Sequence, residues 1–581
     1  MSDSPRLTPT SPFENPIREW GIAALLSLCV SLAVLTPFFR LGNASGHDVS
    51  FHMASWLDAA SQWKQGVIFP RWTEWANFGF GEPRFIFYPP LSWILGAFLG
   101  TIIPWKVVAP VFIACVQTFA GMSAYALLRR LTETRFSAFV GAVCFAANPY
   151  SLLIIYMRSD FAELLAIAIF PVLFLAALRL TGFFGLKKRD LPRCIVNFAI
   201  PFCAAWLANA PAAVIATYSV TLLLVIAALQ QRSVVPLAGG GAGMALGFGL
   251  AAFYWIPAFY EQRWVNISGI LAGGLMPAEN FLYAKTADSE HDAFNRIASN
   301  IAVLLIFWVL CAVIAAWRTK ATGSSRQGPS FPISVPAPFL FLATVATILM
   351  FPVTSIFWKY FPELRFLQFP WRWMSVLALC AALFSAVSAR GWLRWAWVLA
   401  ATIAMAGSGT YVARHSWWDS DDMPTLQAAI NDGSGFEGTD EYDPAGDDHT
   451  DLPQKAPRAR FLVDTVAGEH IDAKIVVEKW SAEHRWVRVV APVPGKLALR
   501  LLNYPAWRLT LKGAGALAEH SKGTGQMILS IPAGESEVHV DFSRTIDRAI
   551  GGWISLASLA GSIFVLFRNR HTTGSEHGSL A

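Results

Sequence analysis

The chain is 581 residues long, 55% hydrophobic and only 14% charged, with a formal net charge of +6 and a mean hydropathy of +0.45. Soluble domains carry about 25% charged residues, so this composition excludes one large soluble core and describes a chain that crosses a membrane many times. The basic excess does not imply a nucleic-acid partner, because Lys and Arg cluster beside the apolar blocks, where they set topology.

The candidate spans, in chain order, are 20–39, 107–128, 136–156, 161–180, 192–208, 211–230, 236–258, 298–317, 336–352, 373–389, 392–411 and 548–567. The first ends in Thr36-Pro37-Phe38-Phe39-Arg40 with no small-x-small cleavage site, so it reads as an uncleaved anchor. The apolar stretch 91–103 is too short to cross unaided. Alternating sides through about twelve spans leaves every loop on one face basic. Those loops hold Arg129, Arg130 and Arg135; Lys187, Lys188, Arg189 and Arg193; and Arg232. Further along they hold Arg318, Lys320 and Arg326; Arg390 and Arg394; and Arg568 and Arg570. Both termini are then cytoplasmic, and segments 40–90, 259–297 and 413–547 are extracytoplasmic.

The expected organisation is a multi-span domain over 1–412, an acidic loop followed by a β-sandwich over 413–547, and a final span with a cytoplasmic tail over 548–581. Residues 415–451 are rich in Asp and Glu and lack Lys and Arg, and they read as loop. Beyond 459, short runs such as Lys474–Glu478, Trp486–Val490 and Glu537–Asp541 alternate with turns, the pattern of a small antiparallel sandwich. All seven cysteines fall in or beside apolar segments, with no disulfide framework and no metal-type spacing.

Gly46-His47-Asp48-Val49-Ser50-Phe51-His52 follows the first span and opens an aromatic-rich loop that runs to Phe87-Tyr88-Pro89-Pro90. Little else in so apolar a chain places acid and base so close together. Asp48 can act as a general base on a hydroxyl or amine, with His47 or His52 orienting it. If the segment is helical, Asp48 and His52 share a face at i,i+4. Equally, Asp48 can be the N-cap of a helix starting at Val49. Asp58 reads as a solvated helix residue.

Arg158-Ser159-Asp160-Phe161-Ala162-Glu163 lies at a tight turn between two spans, where ionisable groups are functional suspects. Arg158 can hold a phosphate bidentately or pair with Asp160 or Glu163 to staple the turn. Arg365 and Arg372, in Leu367-Gln368-Phe369-Pro370-Trp371-Arg372-Trp373 and just before it, are further candidates for a lipid-linked phosphate. Tyr88, Glu163, Glu261 and Arg263 are candidate cavity-lining residues; the last two follow Tyr254-Trp255-Ile256-Pro257, which either lines a groove mouth or ends a helix. Asp288, Glu290, His291 and Asp292 form no metal spacing and read as a solvated loop. Glu437, Asp440 and Glu441 either touch an acceptor or cation or form a solvated loop, the reading the sequence favours. No P-loop, dinucleotide fingerprint or nucleophile elbow is present.

Several strings in order carry a resemblance: His47-Asp48 with His52, Phe69-Pro70-Arg71-Trp72, Gly79-Phe80-Gly81-Glu82-Pro83, Arg158 with Glu163, Leu367-Gln368-Phe369-Pro370-Trp371-Arg372, and Asn503-Tyr504-Pro505-Ala506-Trp507. The chain resembles bacterial integral membrane proteins called 6-pyruvoyl-tetrahydropterin synthase-related. A soluble pterin synthase uses a zinc-binding histidine set that this chain does not supply, so the label is not expected to describe its activity.

The resemblance extends to C-type (GT-C) glycosyltransferases. It implies a GT-C-like polytopic α-helical membrane protein with a C-terminal extracytoplasmic β-sandwich domain, in the bacterial inner (cytoplasmic) membrane. The implied reaction moves a sugar from a polyprenyl-phosphate donor to a glycan, lipid or protein acceptor. Asp48 matches the acidic residue of the first outer loop, which makes it the base. Arg158, Arg372 and Arg365 would hold the donor phosphate. No cofactor is required on this reading; the single Asp, in place of a paired acidic motif, leaves a divalent metal possible but unsupported. The alternative is a non-enzymatic lipid or polysaccharide transporter, or an assembly factor with a glycan-binding β domain. The gathering of polar groups at span ends, not mid-span, favours interfacial chemistry.

Overall fold

The computed structural model describes residues 16–322, 336–445, 452–463, 472–521 and 523–574. Arg326 of one basic loop and the end of the acidic stretch, 446–451, lie outside the described residues. Among the described residues, ten helices are long and apolar enough to cross a membrane, including Pro16–Leu41, Arg135–Arg158, Phe161–Leu180, Pro370–Ser388 and Ile546–Arg568. At about 1.5 Å of rise per residue, 20 residues cover the roughly 30 Å of a hydrocarbon core. Pro90–Ile102, at 13 residues, falls short of it.

Two of the expected spans are not straight helices. Residues 236–258 form Val235–Leu250 and Ala252–Trp264, bent by 75°, and residues 336–352 enter a pair, Ala337–Leu349 and Pro352–Tyr360, bent by 94°. The total reaches twelve if each bent pair is one span. At the second bend the cause is local: Pro352 brings no N–H to continue the ladder, and it holds Phe351 extended (φ −106°, ψ 149°). Ahead of the first bend, small residues let helices close up: Gly243 and Gly247 face the rings of Phe198 and Phe202.

Phe161–Leu180 is apolar all round and is packed inside the bundle, with all but two of its 20 residues buried. Its first turn therefore delivers polar side chains into the centre of the fold. The acidic stretch expected to be loop contains a helix, Asp422–Asn431.

The β domain is a sandwich of two antiparallel sheets. One has the order β1 (Ala459–Leu462), β4 (Gly495–Leu502), β8 (Gln526–Ile531), β7 (Glu519–His520). The other runs β2 (Lys474–Trp480), β3 (His484–Ala491), β9 (Gly534–Phe542), β5 (Trp507–Leu511), β6 (Ala514–Ala516). Facing pairs such as Leu497 with Leu529 and Val487 with Val538 carry its core. The same core includes Trp72 and Phe80 of the segment after the first span, with Tyr504 and Trp507 of the sandwich.

Candidate active site

Gly46-His47-Asp48 leads into the helix Val49–Lys64 with its backbone laid along the end of the Arg135–Arg158 span. Gly46 N donates to Ser159 Oγ (3.1 Å), His47 N to Met157 O (3.1 Å) and Asp48 N to Arg158 O (2.8 Å). Gly46 is needed at this seam because a Cβ would stand 2.6 Å from Met157 O. Across it, Ile154–Arg158 winds as one π turn and Ser159 takes a left-handed φ of 51°. Such turns recur at functional sites. Here the turn brings Arg158 to Asp48, and Arg158 Nη2 donates to Asp48 Oδ2 at 2.6 Å.

Of the two readings of Asp48, the structure bears on the cap alone. The residue occupies the N-cap position of Val49–Lys64, yet its side chain makes no capping bond.

Asp160 joins the remaining ionic groups. Its Oδ1 accepts from Glu163 N (2.9 Å) and so caps the next span, while Oδ2 lies 3.5 Å from Arg158 Nη2 and 3.4 Å from Arg372 Nη2. Arg372 also donates through Nε to Glu163 Oε2 (3.1 Å) and through Nη1 to Leu367 O (3.0 Å), and the Tyr150 hydroxyl donates to Glu163. Burial opposes ionisation of Asp160, but His52, Arg158 and Arg372 outweigh it and hold the carboxyl below its ordinary range. His47 is pushed down, by burial first and then by Arg158, so it is neutral near pH 7.

These groups border a cavity of about 1040 Å³. His47, Asp48, Arg158, Asp160 and Arg372 line one part of it, and Trp206, Phe248, Trp255 and Phe259 line another. Tyr88 is on the wall as expected; burial, then Asp160 and Asp48, lift its hydroxyl well above the usual range, so it remains a donor. Arg158 is 5% exposed, and its Nη1 has no hydrogen-bond partner among the described residues. A guanidinium on a cavity wall with one buried nitrogen left unpartnered is a group to which an anion can bind.

Several expected site residues stand elsewhere. His52 and Glu163 are buried behind the wall, His52 with Nε2 3.7 Å from Asp160, so both act on the cavity only through their neighbours. Arg365 is exposed, with its guanidinium over the Phe366 ring (4.6 Å), and it does not line the cavity; the 3-10 turn after it carries Arg372 inward instead. Glu261 is not at a groove mouth: it is buried in a bidentate pair with Arg548 (2.7 and 2.7 Å) and accepts from Tyr504 (2.5 Å). Arg263 lies over the Tyr260 ring (3.9 Å), away from the cavity. Asp58 is not solvated but fully buried, accepting from Trp75 N (2.9 Å) and Gln62 Nε2 (2.5 Å).

Other lining residues come from segments that the sequence favours as solvated loop, Glu441 among them, for which contact with an acceptor or cation is the alternative. Asp288 and His291, expected in a solvated loop, reach the cavity, as do Thr439, Glu441 and Tyr442. Only the chain fold brings these segments to one place. Among the described residues, no group of three or more His, Cys, Asp and Glu side chains is arranged to hold a metal ion.

A search of curated protein sequences gave no match. Among solved structures, the chain is similar to the arabinofuranosyltransferase AftD from Mycobacteria, with 17% identity over 69% of this chain and 27% of that one and a TM-score of 0.40. A mutant of that enzyme gives 16% identity over 92% and 42%, with a TM-score of 0.44. The Archaeoglobus fulgidus oligosaccharyltransferase gives 14% over 71% and 57%, with a TM-score of 0.35. The chain thus spans less than two thirds of the length of each of these proteins. The profile of the 6-pyruvoyl-tetrahydropterin synthase related domain, described as a membrane protein, matches residues 85–414, more than half of the chain, and the chain belongs to that family.

Proposed function

We propose that this protein is a membrane glycosyltransferase that moves a sugar from a polyprenyl-phosphate-linked donor to a hydroxyl of a glycan, lipid or protein acceptor. The observation that carries the reading is the Asp48–Arg158 pair on the cavity wall, with Arg158 Nη1 left unpartnered. A site of this kind needs positive charge where the phosphate leaves and a base where the acceptor enters. The tryptophan and phenylalanine flank suits the isoprenoid part of the donor.

In the reaction, the acceptor oxygen attacks the anomeric carbon and the bond from that carbon to the phosphate oxygen breaks. The electron pair leaves with the polyprenyl phosphate, facing Arg158. The acceptor proton passes to Asp48. One displacement with one base inverts the anomeric centre. Asp160, Arg372 and Glu163 position Arg158 and take no proton. The basic loops support a topology with both termini in the cytoplasm and the cavity on the extracytoplasmic face of a bacterial inner membrane.

The test is reconstitution of the full chain in lipid vesicles with labelled polyprenyl-phosphate sugar. Asp48→Asn is expected to lower transfer at least a hundredfold while inserting and melting like the parent. Undiminished transfer by that variant would sink the assignment of the base. Movement of the labelled lipid between leaflets with no sugar transferred would instead favour a transporter.

A further inference from the structure

The cavity has a second carboxylate wall. Asp48 is committed to Arg158, and Asp160 to Arg158 and Arg372. Glu441 differs from both. It lines the cavity from the segment 435–445, and among the described residues no cation or side-chain donor pairs with its carboxylate. The nearby Arg84 is already taken: Nε donates to Glu82 Oε1 (2.6 Å), Nη1 to Ser55 Oγ (3.1 Å) and Nη2 to Thr439 Oγ1 (3.1 Å).

The segment bearing Glu441 is fixed on both sides. Phe78 N donates to Phe436 O (2.9 Å), Thr439 N to Glu82 Oε2 (2.8 Å) and Asn266 N to Asp443 O (2.9 Å). Gly438 lies so close to Asn77 that a Cβ would stand 1.9 Å from its Oδ1. Beside the carboxylate is an aromatic wall. Tyr442 stacks on Phe87 (5.8 Å, 8°), and Phe51 packs edge-on against Tyr88 (4.6 Å). An ionised carboxylate only accepts hydrogen bonds, and a flat aromatic face takes apolar C–H surface. That combination fits a ring with hydroxyls on its edge and C–H bonds on its face.

We propose that Glu441, with the aromatic wall of Tyr442, Phe87 and Tyr88, forms a subsite for the acceptor's polyhydroxylated ring, distinct from the Asp48–Arg158 end where the donor phosphate sits. This rests on the transfer reading above and assigns it an acceptor class, a sugar. Glu441 positions the ring and takes no part in the proton transfer. Burial first, then Glu82 and Asp440, raise its carboxyl to about 7, against the pull of its own backbone N–H and of Arg84. Tyr442 and Asp443 also face it from its own segment, and the turn Ile267–Leu271 packed on it carries no titratable group. Hydroxyls donate best to the ionised form, so ring binding tightens as pH rises through 7.

The test is saturation-transfer NMR of a panel of methyl glycosides of common hexoses and pentoses, with the full chain in lipid nanodiscs near pH 6 and pH 8. The strongest probe is expected to bind more tightly at the higher pH. Glu441→Gln should weaken it about tenfold or more, the loss of one charged hydrogen bond, and flatten the pH profile. Glu441→Asp should keep the pH dependence at lower affinity, and it decides the matter if the glutamine variant melts early. Equal binding and the same profile in Glu441→Gln, or no binding of any glycoside by the parent, would overturn the subsite. The two proposals fail separately: glycoside binding without donor consumption leaves the subsite and removes the transfer reading, whereas donor consumption with an unchanged acceptor KM in Glu441→Gln removes the subsite alone.

Discussion

At the scale of single residues, the Asp48–Arg158 pair depends on a backbone contact as much as on the two side chains. Gly46 runs against the carbonyl of Met157, and the Cβ of any other residue meets backbone there, not the movable end of a side chain. Gly46→Val must therefore lift the His47–Asp48 strand off the π turn, lengthening the 2.6 Å contact. Transfer is expected to fall at least tenfold with a modest loss of stability, measured by steady-state rate beside a thermal melt; parental transfer in a variant that inserts normally would show that the seam does not set the pair. Arg158→Lys tests the other partner. The ammonium keeps the charge but loses the fork, so the donor KM is expected to rise about tenfold with little change in acceptor KM. Asp48 and Arg158 were legible in the sequence as suspects, because an acid after a first span and a cation at a span end are chemically conspicuous. Their pairing was not, since 110 residues separate them. Nor does sequence distinguish Arg365 from Arg372: both follow an aromatic-rich stretch, and only the turn between them sends one inward.

At the scale of elements, the helix Val49–Lys64 and the segment 435–445 are held by buried acids whose titration sets how firmly they stay in place. Burial, then Glu74, pushes Asp58 up to about 7; burial, then Glu82, pushes Asp443 up to about 8. The unfolded carboxyl titrates near 4, so between about pH 4 and 8 the unfolded chain binds fewer protons than the folded one, and stability falls as pH rises. His47, held low, acts in the opposite sense below about 6.5, and Asp160 loses its contribution only in stronger acid. The clean window is therefore from about 6.5 to 8.5. Melting temperature is expected to drop several degrees across it, and Asp443→Asn, which still accepts from Asn77, should remove part of the drop. A melting temperature that holds or rises across that window would refute the burial of these acids. Sequence reading placed Asp58 in water because its spacing from neighbouring apolar residues is ordinary. What buries it is Trp72 to Trp75 folding back over the helix, a contact that no local pattern announces.

At the scale of the molecule, hydropathy revealed the bundle and alternation revealed the sandwich, because span length and strand period are local properties of the chain. How the two are joined was not local. Glu261 looked like a groove residue; it is instead the pin between three parts of the fold. It is fully buried at the end of Ala252–Glu261, paired through both oxygens with Arg548 at the start of the last span, and hydrogen-bonded by Tyr504 of the β domain. Removing one member of such a pair leaves a buried charge without its counterion, which costs about 3–5 kcal/mol. Arg548→Ala should accordingly lower the unfolding free energy by about that amount, read from denaturant or thermal unfolding of the full chain in nanodiscs. Charge removal on both sides separates the ionic contribution from simple packing. In the double variant Glu261→Leu, Arg548→Met the unpaired charge is gone and much of the lost stability should return, the remaining deficit reflecting the Tyr504 hydroxyl left without its acceptor. If the single variant is as stable as the parent, the pair does not pin the domains; if the double variant is no better than the single, the loss lies in packing around Arg548 and not in the buried charge.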